Sequence, residues 1–219
     1  MKSQKKYWET KIINWEKTIY SSKKLAPQSL VEKMAAPFRK ILKKRLAAAE
    51  KLVSRHAKGK IIADLGCGSG IFLKKMAKYQ PKKLIGVDIA LSAIEAAQSG
   101  CQGRRYHFVC TDLRRDTGPV KNAHIVVGIG FIDYFAKDEL VGLFGTLKNK
   151  QFLFSFPEKI FSLREILHRA YLILAACPGS NKYSRQEMDA ILKKAGLQKW
   201  WYYDQDNIRF VTNLPHRTN

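Results

Sequence analysis

From residue 59 onward, short apolar runs alternate with segments of helical periodicity. The apolar runs are KIIADLG, KLIGVDI, RYHFVCTDL, AHIVVGIGF and KQFLFSF. Between the first two, apolar residues recur at helical spacing, and further helical segments follow the second and fourth runs. Strands that alternate with helices in this way favour a parallel sheet with helices on both of its faces.

The C-terminal third departs from this alternation. It contains two successive helical patterns, at 161–176 and 184–196, and the second begins with a capping box of Ser184 and Glu187. Residues 200–214 read as two strands joined by an Asp-Asn turn, typical of an antiparallel edge. The predicted fold is therefore α/β: a Rossmann-like, doubly wound, mostly parallel seven-stranded sheet with an antiparallel C-terminal edge.

The first 58 residues predict a basic N-terminal helical arm or lid, and residues 59–219 the main domain. Apolar side chains recur at helical spacing in the arm, beginning with Trp8. The net charge of the chain is +22, and residues 1–60 hold 17 basic and 4 acidic residues. Lys40, Lys43, Lys44 and Arg45 cluster on one helix. Such a field attracts RNA or an acidic membrane surface, although a solvated basic face explains it equally well.

Composition excludes several classes of protein. The four cysteines form no CxxC or Cys/His cluster, which argues against a zinc site and predicts no metal. The charged N-terminus lacks the apolar core of a signal peptide, and no apolar stretch is long enough to span a bilayer. Together with the expected free thiols, these features favour a cytoplasmic protein.

The stretch DLGCGSG, residues 64–70, follows the first predicted strand. A Walker loop has the pattern Gly-x4-Gly-Lys-Ser/Thr, whereas in this chain Gly70 is followed by Ile71 and Phe72. The dinucleotide fingerprint GxGxxG places its third glycine where Ile71 stands. Neither phosphate-binding motif fits this loop.

Three acidic residues follow three successive strands: Asp64, Asp88 and Asp112. The carboxyl ends of parallel strands form the usual ligand crevice of an open α/β sheet. Asp64 suits an ammonium group, Asp88 can accept hydrogen bonds from two ribose hydroxyls, and Asp112 can accept one from an adenine amine. S-adenosylmethionine is a cationic nucleoside that carries an amino acid and no phosphate, and it needs all three acids.

DLGCGSG, GVD and TDL at these spacings resemble the class I S-adenosylmethionine-dependent methyltransferases over roughly residues 59–156. The resemblance implies a methyltransferase with S-adenosyl-L-methionine as its cofactor. It also implies nine cofactor-binding residues: Asp64, Gly66, Gly68, Gly70, Asp88, Ile89, Asp112, Leu113 and Gly128.

The segment after the fourth strand, GIGFIDYF, is where members of this family place groups that face cofactor and substrate. It lacks both the Asn/Asp-Pro-Pro-aromatic motif of nucleic-acid amine methyltransferases and the Pro-Cys of cytosine-C5 enzymes. Asp133 is the acid nearest the expected methyl group and is the candidate base or substrate-orienting group. A purely structural role before the fourth helix remains an equal alternative.

INWEKTIY, FIDYF and FLFSFPEK further resemble segments of the magnesium-protoporphyrin O-methyltransferases, in which an N-terminal tyrosine and a histidine are implicated in catalysis. Tyr20 matches the tyrosine, which makes it a second catalytic candidate, whereas Asp133 stands in place of the histidine. The resemblance implies an arm that closes over the carboxyl or hydroxyl group of a small molecule.

Two functions follow from these observations. The first is methyl transfer to an oxygen of a small hydrophobic or acidic molecule. The alternative is an RNA methyltransferase whose basic N-terminal arm holds the RNA. Peripheral contact with a membrane stays open for either function.

Overall fold

In the computed structural model of the chain, the described residues are 5–10, 16, 30–156, 158, 181–205 and 208–215, with 30–39 described by their backbone alone. Tyr20, the predicted helix at 161–176 and the Asp-Asn turn lie outside these residues.

A single seven-stranded sheet organises the described chain. Its strands occur in the spatial order β3-β2-β1-β4-β5-β7-β6. Strands β1 to β5 are parallel, whereas β7 pairs antiparallel with both β5 and β6. The strands are β1 Ile61–Leu65, β2 Lys83–Asp88, β3 Tyr106–Cys110, β4 Ile125–Gly128, β5 Gln151–Ser155, β6 Trp201–Gln205 and β7 Ile208–Thr212. The predicted fold class, with its antiparallel C-terminal edge, is confirmed.

Helices precede, separate and follow the strands. The described helical residues are α1 at 5–10, α2 Leu30–Ser54, α3 Ile71–Met76, α4 Leu91–Gly100, α5 Lys137–Gly145 and α6 Arg185–Lys194. The predicted capping box at the start of α6 is present, since Ser184 accepts the Glu187 amide and Glu187 accepts the Ser184 amide. The helix after β1 is shorter than its apolar periodicity predicts, because a 3-10 turn, Ala77–Tyr79, replaces its last turn. None of the described helices is both long and apolar enough to cross a membrane.

Each face of the sheet carries its own apolar core. Along β1, Ile62 faces a core with α2 and α3, whereas Ala63 and Leu65 face a core with α5 and α6. Strands buried on both faces read as continuous apolar runs in the sequence. The two cores hold the parallel strands in register, so their carboxyl ends meet at one edge of the sheet.

Candidate active site

The loop between β1 and α3 turns sharply through its three glycines. Gly66, Gly68 and Gly70 have φ angles of 68°, 52° and 78°, in the left-handed region that side chains with a Cβ disfavour. The amides of Gly66 and Cys67 both donate to the Val87 carbonyl, at 2.8 and 3.1 Å. These bonds hold the loop against the end of β2.

Asp64 lies one residue before the end of β1, between two neighbouring strands. It pairs in register with Gly86 on β2 and Val127 on β4, and only 3% of its surface is exposed. Burial raises the pKa of Asp64 well above its usual range, and the nearby carboxylates of Asp88 and Glu16 raise it further.

Asp88 ends β2 and connects two backbone segments. Its Oδ2 accepts the Gly68 amide and its Oδ1 accepts the Ala90 amide, each at 3.0 Å. Burial raises the pKa of Asp88, while these backbone donors lower it. Asp88 therefore fixes the glycine loop, and each of its oxygens retains a further lone pair for a ligand hydroxyl.

Glu16, to which no local sequence pattern assigns a role, lies in the same crevice. The Ser69 amide donates to both of its carboxylate oxygens, at 3.0 and 3.2 Å, and 8% of its surface is exposed. A Cβ at Gly68 would stand 2.0 Å from Glu16 Oε1, so only glycine allows this approach. Burial raises the pKa of Glu16, and the carboxylate of Asp88 raises it further.

Helix α1 covers the neighbouring end of the crevice. The Glu9 carboxylate accepts the amides of Leu91 and Ser92, at 2.9 and 3.0 Å, at the first turn of α4. Trp8 packs on Ala90 and Ala93 of that region, and its ring meets Tyr134 edge to face at 5.5 Å.

Asp64, Asp88 and Glu16 form a buried acidic crevice whose pKa values are all raised. Placing negative charges together in a poorly hydrated site is unfavourable unless a cation neutralises them. Beside the left-handed glycine loop, these residues fit the ammonium and sulfonium charges of S-adenosylmethionine. Among the residues that the structure describes, no cluster of His, Cys, Asp or Glu could hold a metal ion.

Asp112 has a different environment from the other two predicted acids. Its Oδ1 accepts the Arg114 amide at 3.1 Å and the Arg114 guanidinium at 3.2 Å. The same guanidinium donates to the Tyr134 carbonyl at 2.7 Å and lies 3.1 Å from a Glu139 carboxylate oxygen. Arg114 thus ties the loop after β3 to the loop after β4, a role that the sequence did not indicate.

The loop after β4 lies close to the glycine loop. A Cβ at Gly66 would stand 2.9 Å from the Phe131 ring, and one at Gly128 would stand 2.6 Å from Phe154. Gly130, at φ 71°, donates its amide to Ser155 Oγ at 2.7 Å. The two loops can approach this closely because both are rich in glycine.

Asp133 follows in a 3-10 turn, Ile132–Tyr134. Its Oδ1 is buried and has no hydrogen-bond partner among the residues that the structure describes. Burial raises the pKa of Asp133 to about 6, against the lowering effects of its own backbone amide and of the positive charges of Arg45 and Lys182. A buried carboxyl that titrates near neutral pH has the properties of a general base.

The remaining predicted residues flank these groups. Ile89 lies between Asp88 and the start of α4, and Leu113 is buried beside Asp112. Arg45, which the sequence grouped with three exposed lysines, is half-buried instead and contacts Gly130. Its side chain lies apart from those exposed lysines because Arg45 is on the inner edge of α2, four residues before the buried Ala49.

Residues 62–149 match the family model of a methyltransferase domain. This part of the chain is a methyltransferase domain. The match covers β1 to α5, and with them the glycine loop, Asp64, Asp88 and Asp133. The class of enzyme predicted from the sequence, an S-adenosylmethionine-dependent methyltransferase, is confirmed together with its cofactor.

The overall fold of the chain is similar to that of a solved enzyme. Magnesium protoporphyrin IX methyltransferase from Synechocystis PCC 6803, with bound S-adenosylhomocysteine (SAH), superposes with a TM-score of 0.69 at 16% identity. The superposition covers 95% of this chain and 97% of that one. At this identity the likeness shows the fold.

Sequence relatives match only short segments. The tRNA U34 carboxymethyltransferase of Campylobacter lari is 52% identical over 34 residues, which are 16% of this chain and 12% of that protein. The ribosomal protein L11 methyltransferase of Tolumonas auensis is 43% identical over 51 residues, 23% of this chain and 18% of that protein. The chain is thus matched over less than a fifth of the length of either relative.

Proposed function

We propose that this methyltransferase transfers a methyl group from S-adenosylmethionine to an oxygen of a small molecule. One observation carries the choice of acceptor: a buried, unpartnered carboxyl oxygen of Asp133 lies after β4, beyond the acidic crevice. A hydroxyl acceptor needs a base at this place, and the pKa of Asp133, about 6, leaves it ionised at neutral pH.

The cofactor is held, in this proposal, by residues at the ends of β1, β2 and β3. Gly66, Gly68 and Gly70 supply the left-handed turns that bring the loop backbone to the edge of the crevice. Asp64 and Glu16 bind the ammonium group, Asp88 binds the ribose hydroxyls, and Asp112 the adenine amine. Ile89 and Leu113 flank the adenine, and Gly128 keeps the end of β4 open towards the acceptor.

S-adenosylmethionine supplies an electrophilic methyl group, whose bond to sulfur breaks as its bond to the acceptor oxygen forms, leaving a neutral thioether. Asp133 accepts the proton of an acceptor hydroxyl. Trp8 and Tyr134 exclude water from the crevice, which strengthens the electrostatic contacts inside it. A carboxylate acceptor would need no base and would leave Asp133 an orienting group.

The similar fold of magnesium protoporphyrin IX methyltransferase supports a small-molecule acceptor. Tyr20 stays a catalytic candidate by its resemblance to that group. We further propose that residues 1–58 act as an arm over a domain formed by residues 59–219.

A second candidate function, RNA methylation, is favoured by one surface of α2. Five basic side chains are exposed along it and just past its end: Lys40, Lys43, Lys44, Lys51 and, one residue after the helix, Arg55. They recur at helical spacing, so they form one stripe that could follow a phosphate backbone. The short match to a tRNA U34 carboxymethyltransferase points the same way.

A labelling survey separates the two functions. Purified protein is incubated with cell extract and S-adenosylmethionine radiolabelled in the methyl group, and the products are split into RNA, protein and small-molecule fractions. We expect label in the small-molecule fraction, with Asp133→Asn reducing it and Asp138→Asn, an exposed acid, leaving it unchanged. Label in RNA alone would reject the proposed acceptor.

A further inference from the structure

Resting on the proposed function, we infer that Arg45 binds an anionic group of the acceptor while Asp133 receives its hydroxyl. The acceptor is therefore a hydroxy acid, methylated on its hydroxyl oxygen. Arg45 belongs to α2, which is not part of the matched methyltransferase domain.

Arg45 is directed at the acceptor side of the sheet edge. Its Nη2 lies 2.8 Å and its Nη1 3.5 Å from where a Cβ at Gly130 would stand. The absence of a side chain at Gly130 is what admits the guanidinium. The Gly130 amide is already bonded to Ser155 Oγ, so this loop is held in place beneath Arg45.

The side chains of Arg45 and Asp133 do not pair all of their polar atoms with one another. Arg45 Nε and Asp133 Oδ1 are both buried, and within the described part of the chain neither has a hydrogen-bond partner. A buried polar atom left unpaired typically costs about 1–3 kcal/mol. A donor and an acceptor that remain unpaired within mutual electrostatic range point to a ligand that supplies the missing partners.

The chemistry of the two atoms defines that ligand. Arg45 Nε is a donor only, so its partner is an acceptor, and a carboxylate matches the guanidinium fork best. Ionised Asp133 Oδ1 is an acceptor only, so its partner is a donor such as a hydroxyl. One small molecule with both groups pairs both atoms, and it places the hydroxyl beside the base.

The surroundings favour an aromatic body for this acid. Phe131 lies over the glycine loop and packs against Phe135 with ring centroids 4.7 Å apart. Trp8 and Tyr134 add a second aromatic pair at the same edge. Aromatic walls with few polar groups are typical of sites for small organic ligands.

The three isomeric hydroxybenzoates are suitable probes, each compared with its own methyl ester. Calorimetric titrations are made with and without SAH on the wild type, Arg45→Gln and Arg45→Lys. Arg104→Gln, which removes an exposed arginine, is the matched control. SAH binding is titrated separately, so failure of the cofactor site is distinguished from failure of the acid site.

We expect at least one hydroxybenzoate to bind the wild type and Arg104→Gln about tenfold more tightly than its ester. Arg45→Gln removes this preference without changing SAH affinity, and Arg45→Lys retains part of it, since lysine keeps the charge but loses the fork. If the wild type shows no preference for any of the acids, or Arg45→Gln keeps it, the inference is wrong. If the wild type does not bind SAH, the proposed function is rejected instead.

Discussion

The Glu16 carboxylate accepts the Ser69 amide through both of its oxygens, at 3.0 and 3.2 Å, although 53 residues separate the two in the chain. This contact brings a third buried carboxyl to Asp64 and Asp88. It also attaches the N-terminal segment to the loop that we propose to hold the cofactor.

Glu16→Gln keeps an acceptor for the Ser69 amide but removes the charge. We expect the affinity for S-adenosylmethionine, which is cationic, to fall about tenfold, because one attractive charge in a poorly hydrated site is lost. Affinity for adenosine, which is neutral, should not change. Calorimetry with both ligands measures this, and Glu95→Gln, on the exposed face of α4, is the control. Equal losses for both ligands would contradict the electrostatic role.

Gly68→Ala tests the close approach of Glu16. The new methyl group would stand 2.0 Å from Glu16 Oε1 at a φ of 52°, so it must displace the carboxylate and strain the backbone. A left-handed conformation costs alanine about 1–2 kcal/mol before the clash is counted. In α5, no atom of the described residues lies within 4 Å of the Cβ position of Gly142, so Gly142→Ala should leave stability unchanged or raise it. Chemical denaturation of both variants gives the comparison.

Asp133→Asn should stabilise the fold and disable catalysis. The pKa of Asp133 is about 6 in the folded protein, above its ordinary 3.8. The folded state therefore binds more protons between these values, and stability falls as pH rises from about 4 to about 6. The asparagine side chain carries no charge, so above pH 6 the free energy of unfolding of the variant should exceed that of the wild type by about 3 kcal/mol.

Two positive charges, those of Arg45 and Lys182, act on Asp133, whereas its neighbour Tyr183 stays neutral over this pH range because its own pKa is raised to about 12. Denaturation of wild type and Asp133→Asn at pH 4, 6 and 8 isolates its contribution. Wild-type turnover should fall below pH 6, and the variant should lose about a hundredfold in turnover while SAH affinity is unchanged. Full turnover in Asp133→Asn would exclude it as the base.

Arg114→Ala should destabilise the site more than any surface ion pair would. Arg114 contacts the side chains of Asp112 and Glu139 and the Tyr134 carbonyl, with 12% of its own side chain exposed. Removal takes the guanidinium from two partly exposed carboxylates, each of which keeps a backbone amide donor, so the expected cost is about 1.5–3 kcal/mol. Thermal unfolding measures this. The control is Lys194→Ala, which breaks an exposed pair with Asp138 and should cost less than about 1 kcal/mol.

Local sequence patterns were sufficient for the sheet and for the position of Asp64, Asp88 and the glycine loop at one of its edges. That these residues bind the cofactor stays a prediction. Parallel strands end at one edge, so residues just after apolar runs meet there whatever the details of packing. The hydrogen bonds that the Gly68 and Ala90 amides donate to the Asp88 carboxylate agree with that placement.

Glu9, Glu16 and Arg45 could not be found in this way. Each reaches the site across a long chain separation, and docking of the N-terminal segment depends on three-dimensional packing that no local periodicity encodes. Arg45 in particular follows Lys43 and Lys44 in sequence, yet one step around a helix moves it from the exposed stripe to the inner edge.

Binding of S-adenosylmethionine to wild type and Asp88→Asn, compared by calorimetry, tests the central claim most directly. Asp88→Asn keeps one oxygen acceptor but loses the carboxylate that holds the Gly68 amide and, in our proposal, the ribose. We predict saturable binding to the wild type, retained by Asp138→Asn, and a loss of about a hundredfold or more in Asp88→Asn. Equal affinity of Asp88→Asn and wild type would contradict the cofactor site proposed at the ends of β1 and β2.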